Sequence, residues 1–330
     1  MFVMAPISDL GCVVIGRNEG VRLIRCLESL VGRVVYVDSG STDGSIEAAT
    51  ARGVEVVILD SQAPFTAARA RNAGAARLLE IEPSLRYVQF VDGDCEVVAG
   101  WLERAHETLE SRAELAVVCG RRRERYPEHS VWNRIIDVEW DTPIGEAKAC
   151  GGDAMMRISA FQKVGGFDGS LIAGEEPELC VRLRQAGYKI ERLDAEMTLH
   201  DAAISRFAQW WKRTVRSGHA YAEGASLHGA TDERHWVHET RRIWFWGAVV
   251  PAVATLGAVP TFGASLALFG GYPLSAWRAY RAIRRRGRAP HDSAAYAAAI
   301  TVGKFAEMQG VLQFHRARLR GRRSKLIEYK

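Results

Sequence analysis

Short runs of β-branched and apolar residues alternate with helical patterns between Cys12 and about Gly120. This alternation is typical of parallel strands joined by crossover helices, so it predicts an open α/β sheet. The predicted strands are Cys12–Ile15, Val34–Val37, Val54–Leu59, Tyr87–Val91 and Leu115–Cys119. Ligands of such sheets bind at the carboxyl ends of the strands, and the residues that follow the strands are therefore the first candidates for function.

Three of the predicted strands end in polar clusters. The clusters are Gly16-Arg17-Asn18-Glu19, the segment from Asp38 to Gly44, and Asp92-Gly93-Asp94. A carboxylate such as Asp38 at the end of an apolar strand can accept a hydrogen bond from a ribose hydroxyl or a base N–H. Asp92 and Asp94 would repel one another unless a cation lies beside them, and hard oxygen ligands suit Mg²⁺ or Mn²⁺. An ordinary turn is the alternative for this D-x-D triplet.

A further acidic cluster begins a predicted helix at Glu175 and Glu176. The adjacent Pro177 is tolerated in a first helical turn, and a helix N-terminus stabilises carboxylates as anions. Glu176 is therefore expected to remain ionised and ready to accept a proton. The alternative is that these carboxylates are surface charges favoured by the helix dipole.

The six cysteines, at positions 12, 26, 95, 119, 150 and 180, lie far apart without a C-x-x-C pair. This spacing argues against a structural zinc site and favours buried thiols in a reducing compartment. The segment before the first strand has neither a basic region nor a long apolar run, so a cleaved secretory signal is not expected and the catalytic part is expected in the cytosol.

The C-terminal part of the chain differs in charge from the rest. Residues 278–330 carry 14 Lys/Arg and 3 Asp/Glu, a balance of +11, whereas the preceding residues balance at −6. Directly before this basic tail, residues 243–277 run for 35 positions without a charged side chain and have aromatic residues at both ends. An apolar segment with aromatic flanks and adjacent basic residues indicates a membrane surface as partner rather than nucleic acid.

Proline and glycine interrupt residues 243–277, so a re-entrant or peripheral segment is predicted in place of one spanning helix. A second apolar patch, Ala294 to Gly303, with the basic stretch Arg316 to Lys325 behind it, is predicted to lie as an amphipathic segment in the membrane interface. A buried helical hairpin without lipid contact is the alternative for residues 243–277.

Four segments, in this order, resemble the motifs of family 2 glycosyltransferases, the nucleotide-sugar-dependent enzymes of the A-type glycosyltransferase fold. They are Val13 to Glu19, Val35 to Gly44, Ala68 to Gly74 and Asp92-Gly93-Asp94. Three later segments look like the family's donor and acceptor region and its acidic helix start: Gly151 to Arg157, Val164 to Asp168 and Gly174 to Leu183. The resemblance covers about residues 11 to 222. The chain departs from the family at Glu175-Glu176, where Glu-Asp is usual.

The resemblance implies a Rossmann-like A-type glycosyltransferase domain with a mixed, mostly parallel sheet. It also implies that Glu176, beside Glu175, is the general base, and that Asp94 and His200 hold a divalent metal, Mn²⁺ or Mg²⁺. Contacts with the nucleotide or the donor sugar are expected from Arg17, Glu19, Asp38, Arg71, Asp92, Asp153 and Arg213. Arg213 could instead belong to a solvated or membrane-facing basic helix.

The expected reaction is inverting transfer of one sugar from a UDP- or GDP-sugar to a hydroxyl of a lipid-linked or polysaccharide-precursor acceptor. A phosphatase with Asp92 as nucleophile would leave Asp38 and Arg71 unexplained. A nucleotidyltransferase would need a glycine-rich basic loop where Gly16-Arg17-Asn18-Glu19 stands. A non-catalytic membrane scaffold with the same fold is the remaining alternative.

Two domains are predicted. Residues 1–225 would form the catalytic domain, with a nucleotide-binding half at 1–120 and an acceptor half at 121–225, and residues 226–330 would form helices that associate with a membrane. The expected location is the cytoplasmic face of the bacterial inner membrane, in polysaccharide or glycolipid assembly.

Overall fold

The computed structural model describes residues 7–321, which form two compact units. The first, the sheet unit, comprises residues 7–125 and 140–202, and the second, the helical unit, comprises residues 126–139 and 203–321. The predicted domain boundary at residue 225 falls inside the helix Phe207–His228. The chain divides earlier, near residue 203, because that helix packs along its length on another helix of its own unit.

Within residues 7–321 the sheet unit contains nine strands. They are β1 Leu10–Gly16, β2 Arg33–Asp38, β3 Glu55–Ile58, β4 Tyr87–Asp92, β5 Cys95–Val97, β6 Leu115–Glu124, β7 Gly145–Glu146, β8 Ala154–Arg157 and β9 Lys189–His200. Their order in the sheet is β3-β2-β1-β4-β8-β6-β9-β5, and β7 pairs with β9. The five predicted strands are confirmed as β1, β2, β3, β4 and β6.

The helices of the sheet unit lie between these strands, and five of the remaining six follow the last strand. In chain order they are α1 Val21–Glu28, α2 Ser45–Thr50, α3 Ala67–Ile81, α4 Trp101–Ser111, α5 Val131–Glu139, α6 Ile158–Lys163, α7 Glu175–Gln185, α8 Phe207–His228, α9 Val237–Trp244, α10 Val250–Leu256, α11 Gly271–Arg285 and α12 Pro290–Leu319. Helices α5 and α8 to α12 belong to the helical unit.

The first half of the sheet is parallel and the second half is mixed. β1 pairs in parallel with both β2 and β4, and β2 pairs in parallel with β3. The short strand β8 then enters between β4 and β6 and runs antiparallel to both. The predicted mixed α/β sheet is therefore confirmed, although no pattern in the sequence predicted β8.

The core of the sheet unit lies on both faces of the parallel strands. Val13, Val37 and Phe90 are fully buried, as expected for strands covered by helices on both sides. Helix α3 packs directly on this surface at Gly74, where an added Cβ would come 2.3 Å from a methyl group of Val13. The close contact fixes α3, which carries Arg71, against the centre of the sheet.

In the helical unit, α8 and α12 cross with their backbones in contact. An added Cβ at Gly218 would lie 2.0 Å from the carbonyl oxygen of Glu307, and one at Gly310 would lie 2.0 Å from that of Val215. Ala297, Ala299 and Gly303, in the segment predicted to lie in a membrane interface, are buried, so this face of α12 is covered by protein. Of the basic stretch behind it, residues 322–325 lie outside the described residues.

The uncharged segment 243–277 is broken into short helical pieces, as its prolines and glycines predicted. It contains a π-helical turn at Phe245–Val249, helix α10, a 3₁₀ helix at Ala264–Gly270 and the start of α11. Among residues 7–321, no helix combines the length and the apolar composition that crossing a bilayer requires. Large apolar side chains are exposed around the turn in the middle of residues 243–277, including Leu256, Val259 and Phe262.

The glycine contact between α8 and α12 can be tested by adding one methyl group. Gly310→Ala should lower the free energy of unfolding by about 1–3 kcal/mol, because the helices must move apart to admit the new Cβ. Gly303→Ala is the matched control on the same helix, where the new Cβ would meet the nearest atom at 3.4 Å. The free energy of unfolding of this control should equal that of the wild type or exceed it by up to about 1 kcal/mol, because alanine favours a helix. Equal thermal unfolding midpoints for both variants would contradict the close crossing.

Candidate active site

The carboxyl ends of β1, β2 and β4 bring the three polar clusters to one edge of the sheet. Gly16 of β1 pairs with Asp38 of β2, and Ile15 of β1 pairs with Asp92 of β4. The loops are also joined by Asn18, whose Oδ1 accepts a hydrogen bond from the backbone N–H of Thr42 at 2.8 Å. The three clusters therefore lie at one edge of the sheet, and Asn18 links two of the loops.

Asp38 is fully buried, and its carboxylate organises the turn that follows it. Oδ1 accepts hydrogen bonds from the backbone N–H groups of Gly40 and Ser41, both at 2.8 Å. Oδ2 accepts from the hydroxyl of Tyr36, also at 2.8 Å. The side chain predicted to bind the nucleoside thus shapes the loop, and a nucleoside would have to use its remaining lone pairs.

Arg71 joins the end of β4 to the start of α7. Its guanidinium lies 2.7 Å from Asp92 through Nη2 and 2.8 Å from Glu175 through Nη1, and its side chain is only 3% exposed. A second guanidinium, that of Arg122, lies 2.9 Å from Asp153 and 3.5 Å from Asp92. These five side chains form one network of alternating charge, which is called the Arg71 network below.

The Arg71 network keeps Asp92 ionised. Burial alone would raise the pKa of Asp92, but the guanidinium groups of Arg71 and Arg122 outweigh burial and hold that pKa well below its usual range. The network also needs a residue without a side chain at Gly152, because an added Cβ there would come 2.8 Å from both Arg71 and Asp92. Arg122 was not predicted, although the run Arg121-Arg122-Arg123 after a predicted strand was a usable signal.

Asp153 is fully enclosed and holds the strand end in place. Its Oδ1 accepts from the backbone N–H of Asp92 at 2.9 Å, and its Oδ2 accepts from the hydroxyl of Thr198 at 2.8 Å. This position does not support the predicted contact between Asp153 and the donor, because the carboxylate has no exposed surface. Its observed role is to position Asp92.

Asp94 and His200, the predicted metal ligands, lie together. Strand β9 ends at His200, which pairs with Cys95 of β5, so the imidazole faces the D-x-D loop. Nε2 of His200 lies 3.3 Å from Oδ2 of Asp94, and the ring of Trp140 packs edge-on against the imidazole. Nδ1 of His200 is buried, with Oε2 of Glu124 3.9 Å away. Asp94, Cys95 and His200 each offer a ligand atom within 4.8 Å of the others, and a carboxylate beside an imidazole fits a divalent cation.

The two glutamates at the start of α7 face different partners. Glu175 contacts Arg71, whereas Oε1 of Glu176 accepts hydrogen bonds from the backbone N–H of Cys150 at 2.5 Å and from the thiol of Cys180 at 3.1 Å. The helix N-terminus was expected to keep Glu176 ionised. Burial acts in the opposite direction and raises the pKa of Glu176, although the hydrogen bonds from Cys150 and Cys180 oppose part of that effect.

The three other predicted donor-binding residues lie outside the Arg71 network, although Glu19 is beside the D-x-D loop, where an added Cβ at Gly93 would come 3.3 Å from its side chain. Glu19 pairs with Arg22 at 2.8 Å, and the guanidinium of Arg17 lies over the ring of Phe65. Arg213 belongs to the helical unit, where it forms two hydrogen bonds with the carboxylate of Glu139.

Two family models match the chain. The model described as glycosyl transferase family 2 matches residues 12–165, and the model described as the N-terminal domain of galactosyltransferase matches residues 135–203. The first match contains the D-x-D loop and Arg71, and the second contains α7 and His200.

Three curated proteins are similar in sequence. Succinoglycan biosynthesis protein ExoA of Rhizobium meliloti is 29% identical over 198 residues, 56% of this chain and 59% of that protein. Glycosyltransferase AglE of Haloferax volcanii is 27% identical over 221 residues, 61% of this chain and 69% of that protein. The pre-mycofactocin glycosyltransferase of Mycobacterium tuberculosis is 26% identical over 233 residues, 67% of this chain and 48% of that protein. The chain thus spans about half to two thirds of these relatives.

Two solved structures share the fold. The mannosyltransferase PcManGT from Pyrobaculum calidifontis, in complex with GDP-Man and Mn²⁺, aligns with a TM-score of 0.59 over 93% of this chain and 87% of its own, at 17% identity. S. aureus TarS 1–349 aligns with a TM-score of 0.51 over 94% of this chain and 92% of its own, at 14% identity. At these identities the likeness shows the fold alone.

The contribution of the buried ion pairs to the free energy of unfolding can be measured with two variants of helix α3. Arg71→Met should lower the free energy of unfolding by about 3 kcal/mol or more, because it leaves the buried charge of Glu175 without its partner and Asp92 with only the more distant Arg122. Arg77→Met is the matched control, since Arg77 also pairs with two carboxylates but is 42% exposed. It should change stability by about 1 kcal/mol or less. Urea unfolding compares the two, and equal losses would show that burial of the Arg71 network does not matter.

Proposed function

Residues 12–165 match the family 2 glycosyltransferase model, and from this premise we propose that the protein transfers one sugar from a nucleoside diphosphate sugar to a hydroxyl group of an acceptor. The observation that carries the proposal is the pair Asp94 and His200, 3.3 Å apart beside the ionised Asp92. Carboxylate and imidazole groups at the carboxyl edge of a parallel sheet suit a divalent metal and the diphosphate that it would bind.

Asp94 and His200 would hold the metal, Mn²⁺ or Mg²⁺. When bound, such a metal acts as a Lewis acid that stabilises the charge developing on the departing diphosphate. The solved structure of PcManGT contains GDP-Man and Mn²⁺, which supports both a nucleotide sugar and a metal of this class. Arg17, Glu19, Asp38 and Asp92 would line the nucleotide side of the site, with UDP or GDP as the nucleotide. Arg71 would act mainly by fixing Asp92.

Glu176 would accept the proton of the acceptor hydroxyl. Oε1 accepts hydrogen bonds from the backbone N–H of Cys150 and the thiol of Cys180, and these contacts orient the carboxylate. A single base without a positioned nucleophile favours one displacement, and so inversion at the anomeric carbon. Glu175 is the second candidate for the base, but its carboxylate neutralises Arg71.

The acceptor is proposed to be lipid-linked or a polysaccharide precursor, reached at the cytoplasmic face of a bacterial inner membrane. The support lies in the helical unit, where Leu256 and Val259 are 80% and 85% exposed and Phe262 is fully exposed. Helix α11 follows this apolar turn and ends in Arg284 and Arg285, whose charge complements anionic headgroups. We propose that the segment 243–277 lies peripherally in the interface.

The metal role predicts the behaviour of Asp94→Ala. This variant should lose the Mn²⁺-dependent release of UDP or GDP from donor sugars by about a hundredfold or more, because metal-stabilised leaving-group charge is worth several kcal/mol. Its thermal unfolding midpoint should stay close to that of the wild type. Asp60→Ala, which removes an exposed carboxylate outside the three polar clusters, is the control and should retain release. Full activity of Asp94→Ala, or of the wild type in excess chelator, would remove the metal from the proposal.

The base role predicts a separation of binding from turnover. Glu176→Gln keeps the size of the side chain but cannot accept a proton, so the donor should bind with unchanged Kd while kcat of transfer falls by about a hundredfold or more. Glu176→Asp should keep part of the activity. If Glu175→Gln instead shows the larger loss in kcat with unchanged donor Kd, Glu175 is the base.

The membrane role predicts binding to anionic vesicles. Phe262→Asp should weaken sedimentation of the full chain with phosphatidylglycerol vesicles by about tenfold or more, because it replaces an apolar anchor by a charge. Ile58→Asp is the matched control, since Ile58 is a similarly exposed apolar residue of the sheet unit, and its binding should equal that of the wild type. Equal binding of both variants would show that the turn does not enter the membrane.

A further inference from the structure

Two buried thiols and one buried carboxylate meet beside the proposed base. The sulphur atoms of Cys150 and Cys180 are 3.8 Å apart, and the sulphur of Cys180 lies 3.1 Å from Oε1 of Glu176. One ligand atom from each of the three residues lies within 4.8 Å of the others. Sugar transfer as proposed above requires Glu176 but gives neither thiol a chemical role.

The spacing of the two sulphur atoms is that of a tetrahedral zinc site. A zinc ion binds thiolate sulphur at about 2.3 Å, so two sulphurs at the tetrahedral angle are about 3.8 Å apart. The observed separation is 3.8 Å. A carboxylate oxygen at about 2.1 Å from the same ion would lie about 3.6 Å from each sulphur. Cys180 and Glu176, now 3.1 Å apart, would need to separate by about half an ångström to reach that distance.

The backbone around the three residues supports such a site. Glu176 and Cys180 are four residues apart on α7 and therefore project from the same face of the helix. Cys150 comes from a loop in which the flanking residues Ala149 and Gly151 are exposed. The helix thus supplies two fixed ligands, and the loop supplies the third ligand together with a short path from solvent.

We propose that Cys150, Cys180 and Glu176 form a second metal site, selective for a thiophilic divalent cation of the zinc class. On binding, both thiols release their protons to solvent, and the ion gains two metal–thiolate bonds and one metal–carboxylate bond, with water in the fourth position. The Asp94–His200 pair offers oxygen and nitrogen donors, which suit Mn²⁺ or Mg²⁺, with one thiol, that of Cys95, beside them, whereas the proposed site offers two thiols. The two sites therefore differ in the metals that they prefer.

Occupancy of the thiol site has a consequence that rests on the proposed function. A Glu176 carboxylate bound to a metal cannot accept the proton of the acceptor hydroxyl, so a zinc-class ion should inhibit sugar transfer. The ion would act at the base and not at the diphosphate, so excess Mn²⁺ should not relieve the inhibition.

Cobalt titration of the reduced, metal-free full chain tests the site without reference to activity. Co²⁺ should give intense sulphur-to-cobalt charge-transfer absorption and the visible bands of a tetrahedral ion in the wild type. Cys150→Ser and Cys180→Ser should each lose the charge-transfer absorption, and Zn²⁺ should displace the cobalt. Asp94→Ala and Cys95→Ser are the matched controls, and both should keep the charge-transfer absorption. They alter the other candidate metal group, in which Cys95 is a buried thiol beside Asp94 and His200.

A wild type without charge-transfer absorption would overturn the proposal, whether or not the serine variants fold. Loss of the absorption in Cys95→Ser, with retention in Cys180→Ser, would also overturn it by assigning the sulphur to the D-x-D loop. The wild-type spectrum and the two control spectra therefore decide the question even if Cys150→Ser is unstable.

Inhibition is measured separately, as the Zn²⁺ concentration that halves transfer in excess Mn²⁺. Cys180→Ser should raise this concentration at least tenfold relative to the wild type, each protein being compared with its own zinc-free rate. A wild type that binds cobalt through sulphur but transfers sugar at full rate with Zn²⁺ bound would overturn the inhibition. A wild type that binds cobalt but has no transferase activity would instead contradict the proposed function and leave the metal site supported.

Discussion

The buried guanidinium of Arg71 is the interaction on which the rest of the site depends. It lies between Asp92 at the end of β4 and Glu175 at the start of α7, two segments that are more than 80 residues apart in sequence. Without that positive charge the two carboxylates would face one another in a region of low dielectric constant. The position of the D-x-D loop and the position of the first turn of α7 are therefore set together, and Asp94 and Glu176 are fixed as their neighbours.

The Arg71 network also explains why the site should attract a cation. It places three carboxylates, those of Asp92, Asp153 and Glu175, against the two guanidinium groups of Arg71 and Arg122. The network therefore has a net charge of −1, and Asp94 adds further negative charge beside it. A metal ion beside Asp94 would compensate this excess, and a diphosphate would bring its own negative charge to the metal and not to the network. In this arrangement the two arginines would fix the positions of the carboxylates, and the metal would bind the diphosphate.

The sequence was informative where a signal is local. Each parallel strand is a short apolar run followed by polar residues, so the strands, the D-x-D loop and the pairing of Asp94 with His200 could be predicted, the last from family resemblance. Other features depend on contacts between distant residues. Strand β8 is a four-residue segment that becomes a strand only between β4 and β6, and Cys150 and Cys180 are separated by 30 residues without a motif. The apolar side of α12 resembled a lipid-facing surface because its true partner, α8, lies some 80 residues earlier.

The two glutamates of α7 show how one helix start can serve two tasks. Glu175 forms an ion pair with Arg71, which neutralises its charge and fixes its position. Among residues 7–321 no guanidinium forms an ion pair with Glu176, which is held by Cys150 and Cys180, groups that orient a carboxylate without neutralising it. Oε1 of Glu176 reaches the backbone N–H of Cys150 while the carboxylate stays on the face of α7 that carries Cys180. The same contact that orients the proposed base therefore also brings it within reach of two sulphur atoms.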